Sequence, residues 1–348
     1  MRVLVTGHRG YIGRVMVRVL ADAGHDITGL DTELYEACAL PESHASPVRS
    51  VPKDVRQVTA EDLAGFDAVA HLAALSNDPL GCLNEDCTYD INYRGSVALA
   101  AAAKRAGVRR FIFASSCSLY GAAGDQLLDE TAAFSPVTAY GRTKVMVEQE
   151  IAPLADETFS PTCMRNATAY GYSPSMRADI VVNNLVGTAF TTGEIAMQSD
   201  GTPWRPLVHI EDISRAFLAV LEAPREAIHN QAFNVGSSDE NYQMRDIAEI
   251  VRAVVPGSRI TYLPGGGPDP RCYRVDCGKL TRHLPQFKTK WTVRAGAEEL
   301  YEQFRRHDLT PDMFAACVRL TRIRRLLAEG RLDSALYWHS ADLVTVQS

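Results

Sequence analysis

The stretch FASSCSLYG, from Phe113 to Gly121, ends an apolar run on four small polar side chains, Ser115, Ser116, Cys117 and Ser118. A buried strand that finishes this way presents hydroxyls where a ligand can meet them. Further along, YGRTK places Tyr140 and Lys144 four residues apart, which on a helix is one face. A free tyrosine has a pKa of about 10 and is a poor base at neutral pH, but a cation beside it favours the phenolate. A hydroxyl on a facing strand, from Ser115 or Ser116, would orient the oxygen that gives up its proton. The spacing alone would equally suit a surface ion pair; the surrounding elements decide.

Those elements begin with TGHRGYIG (Thr6 to Gly13), which follows the β-branched run VLVT and opens a helix predicted over Ile12 to Ala23. Gly7, Gly10 and Gly13 let the backbone turn tightly and approach a pyrophosphate, whose charge sits on the helix N-terminus. Asp31 ends a second predicted strand, 18 residues after Gly13. A carboxylate there accepts from both adenosine ribose hydroxyls and repels a 2′-phosphate, which favours NAD over NADP. Arg9, in the loop itself, argues the other way, because it would suit a 2′-phosphate. Asp54, at the end of a predicted third strand (Val48 to Asp54), has two readings, an acceptor for the adenine amino group or a solvated loop acid.

Further strands are predicted at Asp67 to Leu72, Arg110 to Ala114 and Thr162 to Arg165, with helices at Ile91 to Ala106 and Tyr140 to Ile151. Strand and helix alternate, so the fold is α/β, a doubly wound parallel sheet with helices on both faces. After about Gly171 prolines break up short elements. That half reads as a smaller, irregular α+β domain over the C-terminal edge of the sheet, where open α/β sheets bind ligands. The expected division is 1–171 and 172–348, with crossings back to the sheet near 205–236.

Composition is that of an ordinary globular chain: 348 residues, 46% hydrophobic and 22% charged. A net charge of −6 speaks against a nucleic-acid partner. No apolar run is long enough for a transmembrane helix, and the N-terminus lacks a signal peptide's apolar core, so no membrane is expected and the location reads as cytoplasmic. The eight cysteines form no C-x-x-C pair, so no metal site is expected.

Taken together and in order, TGHRGYIG, HLAALS (His71 to Ser76), FASSCSLYG and YGRTK resemble the extended short-chain dehydrogenase/reductases, and within them the NAD-dependent nucleotide-sugar epimerases and dehydratases of the UDP-galactose 4-epimerase type. The resemblance spans nearly the whole chain. It implies a Rossmann domain holding NAD, lined by Gly7, Arg9, Gly10, Tyr11, Ile12, Gly13, Asp31, Asp54, Leu72, Ala73, Ala74, Asn92, Tyr140 and Lys144. It further implies Tyr140 as the proton-transferring residue, Lys144 as its helper and Ser116, rather than Ser115, as the hydroxyl on the reacting oxygen. Ser76, Asn77, Ser116, Cys117, Ser118, Thr168, Asn183, Arg205 and Arg271 are the implied contacts to a nucleotide-diphosphate sugar. Thr168 departs from the asparagine common in relatives. Two arginines suit a diphosphate through bidentate hydrogen bonds. Many relatives dimerise through the helices beginning near Asn92 and Tyr140, which implies a homodimer.

In 4,6-dehydratases the two residues after the catalytic hydroxyl are Asp and Glu; here they are Cys117 and Ser118, weak replacements for an acid–base pair. The resemblance therefore points to epimerisation, most simply at C4 through a transient keto-sugar, in bacterial carbohydrate or antibiotic-sugar biosynthesis. A net NAD(P)-dependent dehydrogenase or ketoreductase would use the same Ser, Tyr and Lys. A catalytically silent dinucleotide-binding regulator would need none of the three.

Overall fold

The computed structural model describes residues 1–40, 48–76, 84–263 and 271–339. The strands that carry the site are β1 (Arg2–Thr6), β2 (Asp26–Asp31), β3 (Arg49–Pro52), β4 (Ala68–His71), β5 (Arg110–Ser116), β6 (Ala122–Leu128), β7 (Ser160–Asn166), β8 (Thr168–Tyr170), β9 (Glu194–Met197), β10 (Trp204–His209) and β11 (Gln231–Val235). The α-helices of ten residues or more are α1 (Tyr11–Asp22), α2 (Ser96–Arg105), α3 (Ala139–Ile151), α4 (Val181–Thr192), α5 (Ile210–Glu222), α6 (Met244–Val254), α7 (Val293–Arg306) and α8 (Arg319–Ala328).

Seven strands form one sheet in the order β11-β7-β5-β4-β1-β2-β3, every pair parallel. Strand order reverses between β1 and β4, so the loops leaving these two strands flank a crevice. The glycine loop leaves β1 and HLAALS begins on β4. One face of the sheet is covered by α1 and α5, where Met16, Val17 and Leu20 meet Ile213, Phe217 and Val220. The other face is covered by Leu99, Ala102 and Ala103 of α2 and by Val147 and Ile151 of α3. These alanines are buried in the chain's own core, which accounts for their small size.

A second cluster joins α4, α6 and α7 to short strands through Val182, Val186, Ile195, Leu207, Val251, Leu300 and Phe304. The chain crosses between the two clusters. α5 and β11 lie in the sequence's second half, yet they pack on the large sheet. β10 pairs with β8 instead. The C-terminal segment also returns: Ile323, Leu326, Leu332 and Leu336 join the α2–α3 side of the sheet.

Several predicted elements differ in extent, among them β3, predicted over Val48 to Asp54 and observed over Arg49–Pro52, so that Asp54 lies past the strand and caps a short turn. β5 runs two residues past Ala114, because Ser115 and Ser116 keep their register with Arg165 and Asn166 of β7. β7 itself spans Ser160–Asn166, longer than Thr162 to Arg165. The helix predicted from Ile91 starts as a π-helical stretch, Tyr89–Gly95, before α2.

The returning segment is tied at its end. Arg56 donates from Nη1 to the Ala335 carbonyl at 2.8 Å and stacks 3.6 Å from the Tyr337 ring centroid. Trp338 donates from Nε1 to the Thr32 carbonyl at 2.7 Å. Arg56→Met is therefore expected to raise amide hydrogen exchange in residues 331–338 while leaving that of β1 and β4 unchanged; equal protection in both proteins would show the tie to be dispensable.

Candidate active site

A cavity of about 880 Å³ opens along the C-terminal ends of β1, β4, β5 and β7. At its first end, Gly7 has φ +73°, and its N–H donates to the Leu30 carbonyl at 2.8 Å. A Cβ on Gly7 would lie 2.9 Å from the Ala73 nitrogen, and one on Gly13 would lie 2.1 Å from the Gly7 oxygen. Neither position tolerates a side chain. α1 begins at Tyr11 with no side-chain cap on Gly10 and no acid in its first turn. Its first N–H groups therefore face the cavity as anion donors. This cradle fits a dinucleotide diphosphate.

Asp31 lines the same end. Its carboxylate accepts from the Arg9 N–H at 3.0 Å and the Glu33 N–H at 2.8 Å, which fixes its direction. The Arg9 guanidinium is held by Glu33 and Glu36 at 3.0 and 3.1 Å and stands outside the cavity wall. The competing sequence signal is thereby removed: Arg9 is committed to two carboxylates. Asp54 lines the cavity but already accepts from the Arg56 N–H, Nε and Nη2 at 2.7 to 2.9 Å.

Beneath this wall lies a buried polar chain. Thr6 Oγ1 accepts from the Leu72 and Ala73 N–H groups at 3.2 and 3.3 Å. Its own hydrogen is then available to His71 Nδ1 at 2.7 Å, leaving Nε2–H for Ser96 Oγ at 2.8 Å. Ser96 donates onward to the Asn92 carbonyl at 2.7 Å. His71 is fully buried with its pKa pushed down to about 3 by desolvation, so it stays neutral. Asn92 uses both ends of its amide on Leu75, at 2.8 and 3.0 Å. It is absent from the cavity wall and shapes the turn that carries Leu72, Ala73 and Ala74, which are in that wall.

The middle of the cavity gathers Ser116, Ser118, Tyr140 and Lys144. Lys144 Nζ sits 5.5 Å from the Tyr140 ring centroid and donates to the Ala114 carbonyl at 2.6 Å. Burial pulls its pKa down to about 7, against a smaller upward pull from Glu148. Ser116 Oγ accepts from the Ser118 N–H at 3.2 Å. Ser115 also lines the cavity, but its hydroxyl is engaged, donating to Glu148 at 2.5 Å. The structure takes Cys117 out of the wall: it is 0% exposed, and its thiol, pushed up by burial, points at the Arg165 carbonyl at 3.1 Å.

Thr168, Arg205 and Arg271 line the far end, where Arg205 donates to the Trp204 and Arg271 carbonyls. Asn183 is not with them. It is 0% exposed and bonds Tyr11 Oη, Gly171 and the Arg177 carbonyl, so Asn184 takes its place in the wall. Tyr11 lines the cavity with its ring while its hydroxyl donates to the Gly171 carbonyl at 2.7 Å. Asn77 and Asp78 fall outside the described residues; Ser76 lines the cavity and accepts from Arg177 at 3.2 Å. Arg177, Asp179, Arg319, Tyr35 and Leu336 also line the wall and carry no local sequence signal. Arg177 is paired to Asp179 at 2.9 and 3.0 Å. No group of three or more metal-ligating side chains occurs among the described residues.

A profile described as the NAD dependent epimerase/dehydratase family matches residues 3–236. A UDP-glucose 4-epimerase from Corynebacterium glutamicum is 30% identical over 269 residues, 73% of this chain and 80% of that one. A UDP-glucose 4-epimerase from Bacillus subtilis is 26% identical over 341 residues, 86% and 94% of the two chains. Among solved structures, MoeE5 in complex with UDP-glucuronic acid and NAD superposes with a TM-score of 0.76 at 26% identity, covering 88% of this chain and 99% of that one. The architecture is thus Rossmann-like.

Two measurements check the site's supports. Glu148 accepts from Arg165 Nε and Nη2 at 2.7 to 3.1 Å, with both side chains buried. Glu148→Gln leaves that guanidinium uncompensated and is expected to cost roughly 3–5 kcal/mol, read from the denaturant midpoint. In the ligand-free protein, Lys144 loses its proton near pH 7, whereas the unfolded chain holds it to about pH 10.5. The unfolded state binds more protons across that window, so this residue makes stability rise with pH there. Lys144→Met should flatten that rise; an unchanged slope would show that Lys144 is not the titrating group.

Proposed function

The chain belongs to the NAD-dependent epimerase/dehydratase family, and on that footing we propose that it epimerises a nucleotide-diphosphate hexose at C4 through a transient keto-sugar. The observation that carries this reading over dehydration is the set of acids in the cavity wall. Among the described residues these are Asp31, Asp54 and Asp179. The first two lie at the glycine-loop end and the third is paired to Arg177. At the Ser116–Tyr140 end, Cys117 is sealed in the core and Ser118 offers only a hydroxyl. Loss of water needs an acid–base pair for the leaving group besides the tyrosine that serves the oxidation; among the described residues, the wall at this end carries no carboxylate to supply it.

In the proposed cycle Ser116 holds the reacting sugar oxygen. Tyr140 takes its proton, with the Lys144 cation beside the ring favouring the phenolate. NAD, when bound, supplies reversible hydride acceptance at the sugar carbon. The keto-sugar then turns its other face, and Tyr140 returns the proton. Residues 1–171 would bind the dinucleotide and 172–348 the sugar nucleotide, with α5 and β11 crossing back to the sheet. Arg205 and Arg271 are assigned to the substrate diphosphate and Asp31 to the adenosine ribose. Bacterial carbohydrate or antibiotic-sugar biosynthesis is the setting we infer. A dehydrogenase or ketoreductase would exchange its cofactor at every turnover. Arg319 and Leu336, from the returning C-terminal segment, line the cavity together with the glycine loop, which favours a cofactor that stays.

The direct experiment is to denature the purified protein, identify any released dinucleotide by mass, and incubate fresh protein with UDP-glucose, UDP-galactose and other nucleotide sugars without added cofactor. An isomer of unchanged mass is expected. A product differing by two hydrogens, formed only with added NAD(H) or NADP(H), would establish net redox instead. Tyr140→Phe should lower turnover at least about 100-fold while NAD remains bound. Asp31→Ala should weaken NAD and narrow its advantage over NADP; unchanged affinity for both would remove Asp31 from the ribose.

A further inference from the structure

Arg319, the first residue of α8, lies far beyond the segment that matches the family, residues 3–236. It is 4% exposed and lines the cavity. Its guanidinium stacks 4.3 Å from the Tyr35 ring centroid, and Nη1 reaches Ser76 Oγ at 3.5 Å. Nε and Nη2 are buried with no hydrogen-bond partner. A buried guanidinium with two idle donors is costly unless something accepts from it. Arg177 does not help: it is a second cation nearby, and after burial it is the largest influence pushing Arg319's pKa down. Asp179, the acid at hand, is held by Arg177 through both of its oxygens.

The position of the idle donors identifies what they lack. A Cβ built on Gly10 would lie 3.8 Å from Arg319 Nη2. Gly10 precedes the uncapped first turn of α1, and it is over this turn that a dinucleotide diphosphate rests. The guanidinium therefore sits beside the helix N-terminus, at the edge of the space the diphosphate would fill. We propose that Arg319 flanks the diphosphate site beside Gly10 and donates to the diphosphate, and that residues 319–338 form a strap holding the dinucleotide in place. The inference rests on the reading that the glycine-loop end takes NAD. The strap has its second anchor where Leu336 lines the wall near Asp54 and where Arg56 and Thr32 bind its far end.

The test uses the full-length protein freed of dinucleotide, titrated with ADP and with adenosine. The wild type is expected to bind ADP more tightly than adenosine. Arg319→Met should weaken ADP by about tenfold or more, the usual effect of losing a hydrogen bond to a charged group, and leave adenosine within about twofold. Arg319→Lys keeps a buried cation but loses the fork, so it should fall between the two and serves if the methionine variant fails to fold. Undiminished ADP affinity in both variants would overturn the proposal while leaving the cofactor site intact. Failure of the wild type to bind either ADP or NAD would overturn the cofactor reading, and the proposal with it.

Discussion

Below Ser116, Tyr140 and Lys144, the buried ion pair between Glu148 and Arg165 ties α3 to the strands it packs on. Glu148 follows Tyr140 and Lys144 at helical spacing on α3, so the acid sits on the same side of the helix, deeper in. It receives Ser115 from β5 and Arg165 from β7. Arg165 donates onward to Tyr120 Oη at 3.0 Å and the Glu130 carbonyl at 3.0 Å. Tyr120 donates to Asn234 Oδ1 on β11 at 2.8 Å. One charged pair thus fixes α3 against three strand ends and the Cys117–Tyr120 turn. Such pairs give little net stability, yet removing one partner is severe, because the other charge is left dry. The direction of the tyrosine–lysine face follows from this constraint.

The same network explains why two polar residues could stay in a buried strand. Ser115 and Ser116 look like a strand terminus in the sequence, since hydroxyls are poor core residues. They remain in the ladder because Ser115 has Glu148 beneath it and Ser116 opens on the cavity. The glycine loop, Asp31, Tyr140 and Lys144 were legible because each depends on local spacing: a turn without room for Cβ, a strand end, one helix face. The orientations of Asn92, Cys117 and Asn183 were not legible, because each is decided by a partner far away in sequence. Asn92 meets Leu75, Cys117 meets Arg165, and Asn183 meets Tyr11. Arg177 and Arg319 gave no signal at all. An arginine beside small or aliphatic neighbours reads as surface until the fold buries it.

The two ends of the cavity are built on different principles. At the glycine-loop end the donors are backbone groups at a helix start, held by Gly7, Gly13 and the Thr6–His71–Ser96 chain. Little there can move without breaking the sheet. At the other end Arg205, Arg271, Thr168 and Asn184 come from short strands and α4 outside the large sheet.

The return of the chain to its own sheet also bears on the order in which the molecule can be assembled. A polypeptide stopped at Gly171 would expose the free edge of β7 and the side of α1 that meets α5, both of which are covered by residues 210–235. On the ribosome the first half must therefore wait for the second half to emerge before its sheet is complete. The helix carrying Arg319 emerges later still, so the opening beside the glycine loop remains accessible until that helix has been made. Cutting the protein at the apparent boundary would not yield two folding units, because the boundary in sequence and the boundary in packing fall at different places.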